Sequence, residues 1–547
     1  MKKITILFVF ALSSLLILAG LKKVETEKKA QDVVRKWLLE ELAGVCNELK
    51  NSQKHPGEIL KLKAEYSAAR RHFKHIEFFI EYYSPREAKF FINGALVPKH
   101  DEESGKVMIY PRGFQRIEEL LFLPANATTK EELSKELALL LEQFSLLQNY
   151  YVDAEISDEV LLEMCQLELY RIASMNLNGY DATLTKTNIT ETAWCLEGLQ
   201  KVTSAYVVYN DKNNESAVLI SALEKKISTA QKYLLEHKGY DTFDRLGFIV
   251  KHIKPINTSF ISLHNACKLP WSKRKRAISL KKDFLFAQKG FNDRFFAMYF
   301  NDTVNIKQQA ALGQTLFFDP ALSGNNKRAC ASCHDPAKAF TDGLQTSVGF
   351  DRELMLTRNA PTLLNVMYQR AFFHDGRALQ LEQQVHDVVH NKQEMQFSLE
   401  EAAKKLRGSK EYKKLFSEAF KNTRDSAITP YALKKALVEF ENSLVSLNSR
   451  FDRYLGGETN SLTKKELNGY NLFAGKALCG SCHFFPLFNG TVPPFYIDSE
   501  FEVIGTAENS TNKKVDKDEG RFQVTGIPEQ RFAFKTPTVR NIEFTAP

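Results

Sequence analysis

The sequence has no low-complexity tract, no basic stripe and, through its first half, few Pro-Gly pairs or alternating polar and apolar runs. Its net charge of +8 does not point to nucleic acid, because no reader motif accompanies it and charges of both signs are mixed along the chain. A hydrophobic share of 44% and a charged share of 26% exclude a disordered or collagen-like chain. With turn signals and alternation both scarce, helix is the expected state of the first half. The 547 residues allow about three domains at about 150 residues each.

What is present begins at the N-terminus. Lys2 and Lys3 precede an apolar run from Ile4 to Leu21, and Lys22 and Lys23 come after it. A charged start before an apolar stretch predicts an export signal within residues 1–23, cleaved near Leu18-Ala19-Gly20. At 18 residues the run is also just long enough to span a bilayer, so a retained membrane anchor is the rival expectation. No cysteine stands directly after it, which argues against a lipoprotein. On either reading the body of the chain is exported, to the periplasm.

From Glu25 to Leu285 the pattern is helical. Leu133, Leu137, Leu140, Leu141, Phe144 and Leu147 recur every three or four residues and make one apolar helix face. Similar stripes run from Leu161 to Leu169 and from Ala217 to Leu235. A helical bundle over residues 24–290 is expected. Its cysteines, Cys46, Cys165, Cys195 and Cys267, have no metal-ligand spacing, and export leaves disulfides and buried thiols both open. After the basic stretch Lys273 to Arg276, the aromatic-rich Phe284 to Phe300 is expected to link the bundle to the second half of the chain. From about Asn305 the texture changes to short helices among Gly, Pro and Asn turns. Leu433, Leu437, Phe440, Leu444, Leu447 and Phe451 predict one long amphipathic helix there.

Two motifs carry chemistry: Cys330-Ala331-Ser332-Cys333-His334 and Cys479-Gly480-Ser481-Cys482-His483. Two thiols three positions apart can bond to both vinyl groups of one haem, and the histidine after them then reaches the iron. A zinc site built from two Cys-x-x-Cys pairs is the alternative. A histidine after both pairs, 145 residues between them and an export signal all favour haem. Each motif is preceded by a Leu-Phe segment, Leu316-Phe317 and Leu472-Phe473, which suggests a duplicated haem module.

Around these motifs the chain resembles the bacterial dihaem cytochrome c peroxidases and their protein-oxidising relatives, from about Leu312 to the last residue. The resemblance rests on Leu312-Gly313-Gln314-Thr315-Leu316-Phe317 and on Asp335-Pro336-Ala337-Lys338-Ala339-Phe340-Thr341-Asp342-Gly343 after the first haem motif. It continues through Arg358-Asn359-Ala360-Pro361-Thr362-Leu363-Leu364-Asn365, Phe373-His374-Asp375-Gly376-Arg377, Ser449-Arg450-Phe451-Asp452 and Lys535-Thr536-Pro537-Thr538-Val539-Arg540-Asn541.

The resemblance implies an all-α protein in which a first, peroxidatic haem domain (291–452) and a second, electron-transfer haem domain (453–547) come after the bundle. Two haem c groups are implied, one held by Cys330, Cys333 and His334, the other by Cys479, Cys482 and His483. Glu394 matches the family's distal acid–base, and Gln384, ten residues earlier, its glutamine partner. Asn359, Thr545 and Pro547 match a calcium site between the haems, whose oxygen donors suit that ion. The implied partners are hydrogen peroxide and a small donor cytochrome or copper protein, and the resemblance admits a homodimer.

Departures from the family carry as much information. Where the peroxidases place a distal histidine after Thr-Ser-x-Gly, this chain has Phe350 in Thr346-Ser347-Val348-Gly349-Phe350. Phenylalanine cannot ligate iron, so the first haem is expected to be open at rest unless His386 or His390 closes it. Those two lie one helical turn apart and read better as surface residues. His374 stands where the family commonly has a tryptophan electron relay, so it is either a substitute relay or structural. The family's distal ligand to the second haem lies beyond the position where this sequence stops, which suggests a fragment. In the bundle, Gly113-Phe114-Gln115-Arg116-Ile117-Glu118 resembles the Gly-x-His-x-x-Glu signature of imelysin-like periplasmic proteins, with glutamine at the histidine position.

Peroxide reduction is therefore the leading expectation. The rivals are oxidation of a protein or organic substrate, and a non-enzymatic electron-transfer or iron-handling role.

Overall fold

The computed structural model describes residues 30–96, 98–100, 108–124, 127–209, 214–282, 290–297, 304–421 and 428–546. The N-terminal segment read as signal or anchor lies outside the described residues, as do Pro547 and parts of the aromatic linker. Among the described residues no helix is long and apolar enough to cross a membrane.

The bundle is built on α1 (Ala30–Lys54), α2 (Ile59–Tyr83), α3 (Phe114–Phe122), α4 (Ala127–Tyr151), α5 (Asp158–Ser174), α6 (Asn188–Tyr209), α7 (Asn214–Glu236) and α8 (Lys254–Ala266). The stripe of Leu133, Leu137, Leu140, Phe144 and Leu147 is buried along one face of α4, as its spacing predicts. Helix α5 is different. Every residue from Leu161 to Ser174 is buried, so this helix is enclosed on all sides and its polar residues must find partners inside. Arg171 does so in a buried ionic network, whereas both carboxylate oxygens of Glu168 are buried without a hydrogen-bond partner among the described residues. Arg171 holds Asp181 through two nitrogens at 2.8 and 2.7 Å, Lys74 reaches Asp181 at 2.8 Å, and Arg70 reaches Glu191 at 2.6 Å. Cys46, Cys165 and Cys195 are buried thiols.

Beyond the bundle run α9 (Ile306–Phe318), α10 (Leu381–His390), α11 (Leu399–Leu406), α12 (Lys410–Ala419), α13 (Pro430–Ser443), α14 (Arg450–Gly456) and α15 (Lys464–Ala474). The molecule is thus mostly helical. Two short antiparallel pairs accompany the helices: β1 (Lys99–His100) with β2 (Met108–Ile109), and β3 (Phe501–Val503) with β4 (Ala533–Lys535). Among the described residues two large hydrophobic cores result, with a small third cluster at Met175, Tyr180 and Phe484. One lies around α9, α10, α11 and α13, from Leu312 to Phe440. The other unites the bundle with Leu447, Tyr454, Leu455, Tyr470, Phe485 and Tyr496 of the second motif's surroundings.

The long helix expected from Leu433 to Phe451 is interrupted. Helix α13 stops at Ser443, with the Leu444 amide bonded to the Glu441 carbonyl, and α14 starts afresh at Arg450. Asn365 explains the break, because its amide nitrogen donates to the Ser446 carbonyl at 3.0 Å and its oxygen accepts from the Ser446 amide at 2.8 Å. Ser449 and Asp452 then form a reciprocal capping box that opens α14. Leu433, Leu437 and Phe440 thus join the core around α9, while Leu447 joins the core of the bundle.

The second motif's surroundings are fastened to the bundle by polar contacts. The Arg245 guanidinium, buried, donates to the carbonyls of Leu177 and Tyr240, each at 2.7 Å. Its own amide donates to the Asn471 side chain at 3.0 Å, and Asn471 donates back to Asp244. Lys89 pairs with Asp498 at 2.8 Å.

Candidate active site

Each Cys-x-x-Cys-His motif folds into one tight turn. Cys330–Ser332 and Cys479–Ser481 are single 3-10 turns, and in both the histidine amide donates to the first cysteine's carbonyl at 3.0 Å. The rings are fixed in the same way. His334 Nδ1 meets the Phe340 carbonyl at 2.9 Å, and His483 Nδ1 meets the Pro537 carbonyl at 2.9 Å. A carbonyl only accepts, so Nδ1 carries the hydrogen in each ring and Nε2 keeps its lone pair for a metal. Burial lowers the pKa of both histidines, which favours that neutral form.

The thiols do not resemble zinc ligands. Burial pushes Cys330 up to about 12, and burial raises Cys333 too, although Arg328 Nη2 lies 3.1 Å from its sulfur. Among the described residues, no group of three metal donors includes a motif cysteine, so the two pairs do not assemble one site. Paired thiols three positions apart and histidines oriented by carbonyls fit thioether attachment of one haem per motif.

Arg328 also organises the face beside the first motif, and nothing in the sequence marked it. Its guanidinium donates to the carbonyls of Val348 and Gly349, pinning the loop that ends in Phe350 against Cys333. The Phe350 amide donates to the Gln393 carbonyl at 2.7 Å, and the Gly324 amide to that of Met395 at 3.0 Å. The segment carrying Glu394 is thereby laced to the Phe350 loop. Glu394 is half-buried and accepts from Asn391 Nδ2 at 2.7 Å. Burial raises its pKa, opposed by that bond and by the charges of Arg377 and Arg328. Its charge adds a little to the effect of burial in raising the Cys333 thiol. Gln384 is half-buried on α10, and its side chain has no hydrogen-bond partner among the described residues. His386 and His390 stack on the same helix at 4.0 Å between centroids, with His386 exposed.

The segments flanking the motifs converge through arginines. Arg358 binds Asp375 at 2.6 Å and Asp518 at 2.7 Å, while Arg540 grips Asp452 through two nitrogens at 3.0 and 2.7 Å. His374 lies inside the first of these networks. Burial, then the positive charges of Lys535 and Arg358, push its pKa down to about 4, and its Nε2 is buried without a partner among the described residues. Its ring bonds to the main chain of Asn359, and the Lys535 amide donates to its carbonyl at 2.8 Å. Near the C-terminus the Thr341 hydroxyl donates to the Phe544 carbonyl at 2.8 Å, setting Thr545 close to the Thr341-Asp342 turn. One carboxylate oxygen of Asp342 is buried there without a partner among the described residues. In the bundle, Glu118 accepts from the Thr185 amide at 3.0 Å and Gln115 donates to the Asn93 carbonyl at 3.2 Å.

Two motifs that each offer a paired thiol and an oriented imidazole define a c-type haem protein with two attachment sites. Residues 307–460 match the model of the di-haem cytochrome c peroxidase family. The cytochrome c551 peroxidase of Nitrosomonas europaea is 37% identical over 238 residues, 44% of this chain and 67% of that protein. The methylamine utilization protein MauG of Methylorubrum extorquens is 33% identical over 44% of this chain and 64% of its own length. Among solved structures, a MauG-like protein associated with microbial copper homeostasis aligns with 29% identity and a TM-score of 0.38, covering 44% of this chain and 71% of its own. The chain belongs to the di-haem cytochrome c peroxidase family, and the family implies two haem c cofactors.

Proposed function

We propose that this chain reduces hydrogen peroxide to water at the first motif, using two electrons that enter through the second motif from a small cytochrome or copper protein in the periplasm. The observation that carries the reading is Glu394, a partly buried carboxyl with a raised pKa, held by Asn391 beside Cys333. Cys330, Cys333 and His334 hold one haem and Cys479, Cys482 and His483 the other, each as part of a cytochrome c-like unit. When bound, the iron supplies the electrons that break a peroxide O–O bond.

The residues of the chain do the rest. Glu394 takes the proton from one peroxide oxygen and returns it to the other, which leaves as water as the O–O bond breaks, and the two electrons with two protons from solvent carry the remaining oxygen to a second water. Such a positioned acid–base contributes about 10²–10⁴ in rate. Gln384, with no hydrogen bond of its own to satisfy, orients the peroxide. Phe350 offers no donor atom, so the first motif's open face is available without a reductive step to clear it. His374, neutral at pH 7 because its pKa is about 4, lies on the route between the two units as an uncharged relay. Asn359 and Thr545 hold a calcium ion near the partnerless oxygen of Asp342.

A second reading is favoured by Phe350. A site that needs no activation also suits oxidation of a protein or organic substrate. The resting ferric spectrum with and without hydrogen peroxide tests the first step. A high-spin component that responds to peroxide supports an open site. Two wholly low-spin haems, inert to peroxide even when half-reduced, sink both catalytic readings and leave an electron carrier. Comparing peroxide turnover of Glu394→Gln with the parent then tests the assigned acid–base.

A further inference from the structure

Within the bundle, helices α1, α2 and α6 bring four side chains together. His72 and His75, three residues apart, share one face of α2. Glu41 reaches them from α1, its two oxygens lying 2.6 Å from His72 Nδ1 and 3.1 Å from His75 Nδ1. Glu197 reaches from α6 to the other side of the second ring, 2.9 Å from His75 Nε2. One donor atom each from Glu41, His72 and His75 falls within 4.8 Å of the others. We infer that Glu41, His72 and His75 are the ligands of one divalent transition-metal ion of the zinc type, which ties the three helices together.

The bonding pattern of His75 carries the argument furthest. Arg71 holds Glu197 at 2.9 Å, and Glu197 in turn accepts from His75 Nε2. A carboxylate behind one ring nitrogen fixes the tautomer and turns the other nitrogen into a lone-pair donor, the usual arrangement behind a metal-bound histidine. That donor, Nδ1, faces an oxygen of Glu41. Two acceptors face to face repel unless a cation lies between them, and either a proton or a metal ion can fill that role. A metal ion takes the place of that proton and supplies the positive charge. Ligands at about 2.0–2.2 Å from a tetrahedral zinc stand about 3.3–3.6 Å apart, so the Glu41 carboxylate, now 2.6 and 3.1 Å from the two rings, draws back by up to about 1 Å to admit the ion.

The backbone is cleared around the same two histidines. A Cβ on Gly44, one turn beyond Glu41, would lie 2.6 Å from the His72 ring. One on Gly198, next to Glu197, would lie 1.9 Å from the His75 carbonyl. Both glycines sit inside helices, where glycine is otherwise disfavoured, and both are on helices that supply a carboxylate. Access is open as well, since the His72 side chain is 36% exposed while Glu41 and His75 are 13% and 14% exposed. The other grouping of donors, Glu77, Glu168 and Cys195, is already served by a cation, with Lys74 Nζ 2.7 Å from Glu77.

The test uses the full-length, haem-loaded protein stripped of loose metal with EDTA, which leaves covalent haem in place, and titrated with Zn²⁺ by calorimetry. One zinc per chain is expected. His72→Ala and His75→Ala each abolish it, and Glu197→Gln weakens it about 10–100-fold, the usual effect of losing a carboxylate behind a ligand. His386→Ala, which alters the other histidine pair, leaves zinc binding unchanged, and far-UV circular dichroism checks that each variant is folded. Zinc X-ray absorption should show nitrogen and oxygen neighbours only. Absence of zinc uptake, unchanged binding in a folded His72→Ala variant, or a sulfur neighbour overturns the assignment.

Discussion

Replacing Arg328 with leucine should unlock the face beside the first motif without unfolding the protein. Arg328 is buried and makes two charge-assisted bonds to main-chain carbonyls, at Val348 and Gly349, besides its contact with the Cys333 sulfur. A hydrogen bond to a charged group contributes about 1.5–3 kcal/mol, and leucine takes the guanidinium from both carbonyls, leaving that of Gly349 with the Arg352 amide. Taking the lower figure for each, the loop should open more readily by about 3 kcal/mol, or about 100-fold. The Phe350 amide reports this directly, because its bond to the Gln393 carbonyl at 2.7 Å is what laces the Phe350 loop to the Glu394 segment. Hydrogen-exchange mass spectrometry on peptides spanning 346–356 should show exchange about 100-fold faster in Arg328→Leu, with peptides of α4 unchanged. Peroxide turnover should fall as Glu394 loses its fixed position. Unchanged exchange at Phe350 would refute the role given to Arg328, whatever happens to turnover.

The same geometry sets other expectations. Glu394→Gln should lower peroxide turnover at pH 7 by about 10²–10⁴ while leaving the haem spectrum intact, measured by stopped-flow absorbance. Because burial raises the Glu394 pKa, the acid limb of the turnover profile should lie above the usual carboxylate range, and Glu394→Gln should erase that limb. Asp181→Asn leaves Lys74 and Arg171 buried with too little negative charge, and should cost about 3–5 kcal/mol in thermal or denaturant unfolding of the bundle. Asp181 is held well below the ordinary carboxylate range by Arg171 and Lys74 against the effect of burial, so its contribution is complete above its unfolded pKa and fades as pH falls below it.

What the sequence made legible was local. The α4 stripe at Leu133 to Leu147 repeats at the helical period, and each haem motif is contained in five consecutive residues. The quoted family segments also meet in the fold, where Arg540 binds Asp452 and Arg358 binds Asp375, although nothing in the sequence paired them. What was not legible depended on contacts between distant residues. Nothing at Leu444 announces a helix end, because the cause is Asn365, dozens of positions upstream, bonding to Ser446. Arg328 looks like any surface arginine until the Val348 and Gly349 carbonyls close on it. The union of the bundle with the second motif's surroundings runs through Arg245 and Asn471, a pairing that periodicity cannot express. The same holds for Glu41, His72, His75 and Glu197, which three different helices supply.

His374 offers the most direct way to separate a relay from a structural residue. Its ordinary pKa of about 6.5 falls to about 4 on folding, because burial disfavours the charged ring and Lys535 and Arg358 repel it. For a base with a depressed folded pKa, the unfolded chain binds the proton first as pH drops. The contribution is therefore complete above about pH 6.5, shrinks as pH falls from there to about 4, and is constant below. At about 1.36 kcal/mol per pH unit, the full loss is about 3 kcal/mol. His374→Phe removes this titration and also the partnerless Nε2, at the expense of the bond to Asn359. Melting temperature tracked from pH 7.5 to 4 should thus fall less steeply in His374→Phe than in the parent. Turnover decides the other half of the question. If the variant keeps the parent's stability at pH 7.5 but electrons no longer pass from the second motif to the first, His374 is a relay. Unchanged transfer would make it a structural residue, whose neutral ring fills the space between Arg358, Lys535 and Asn359.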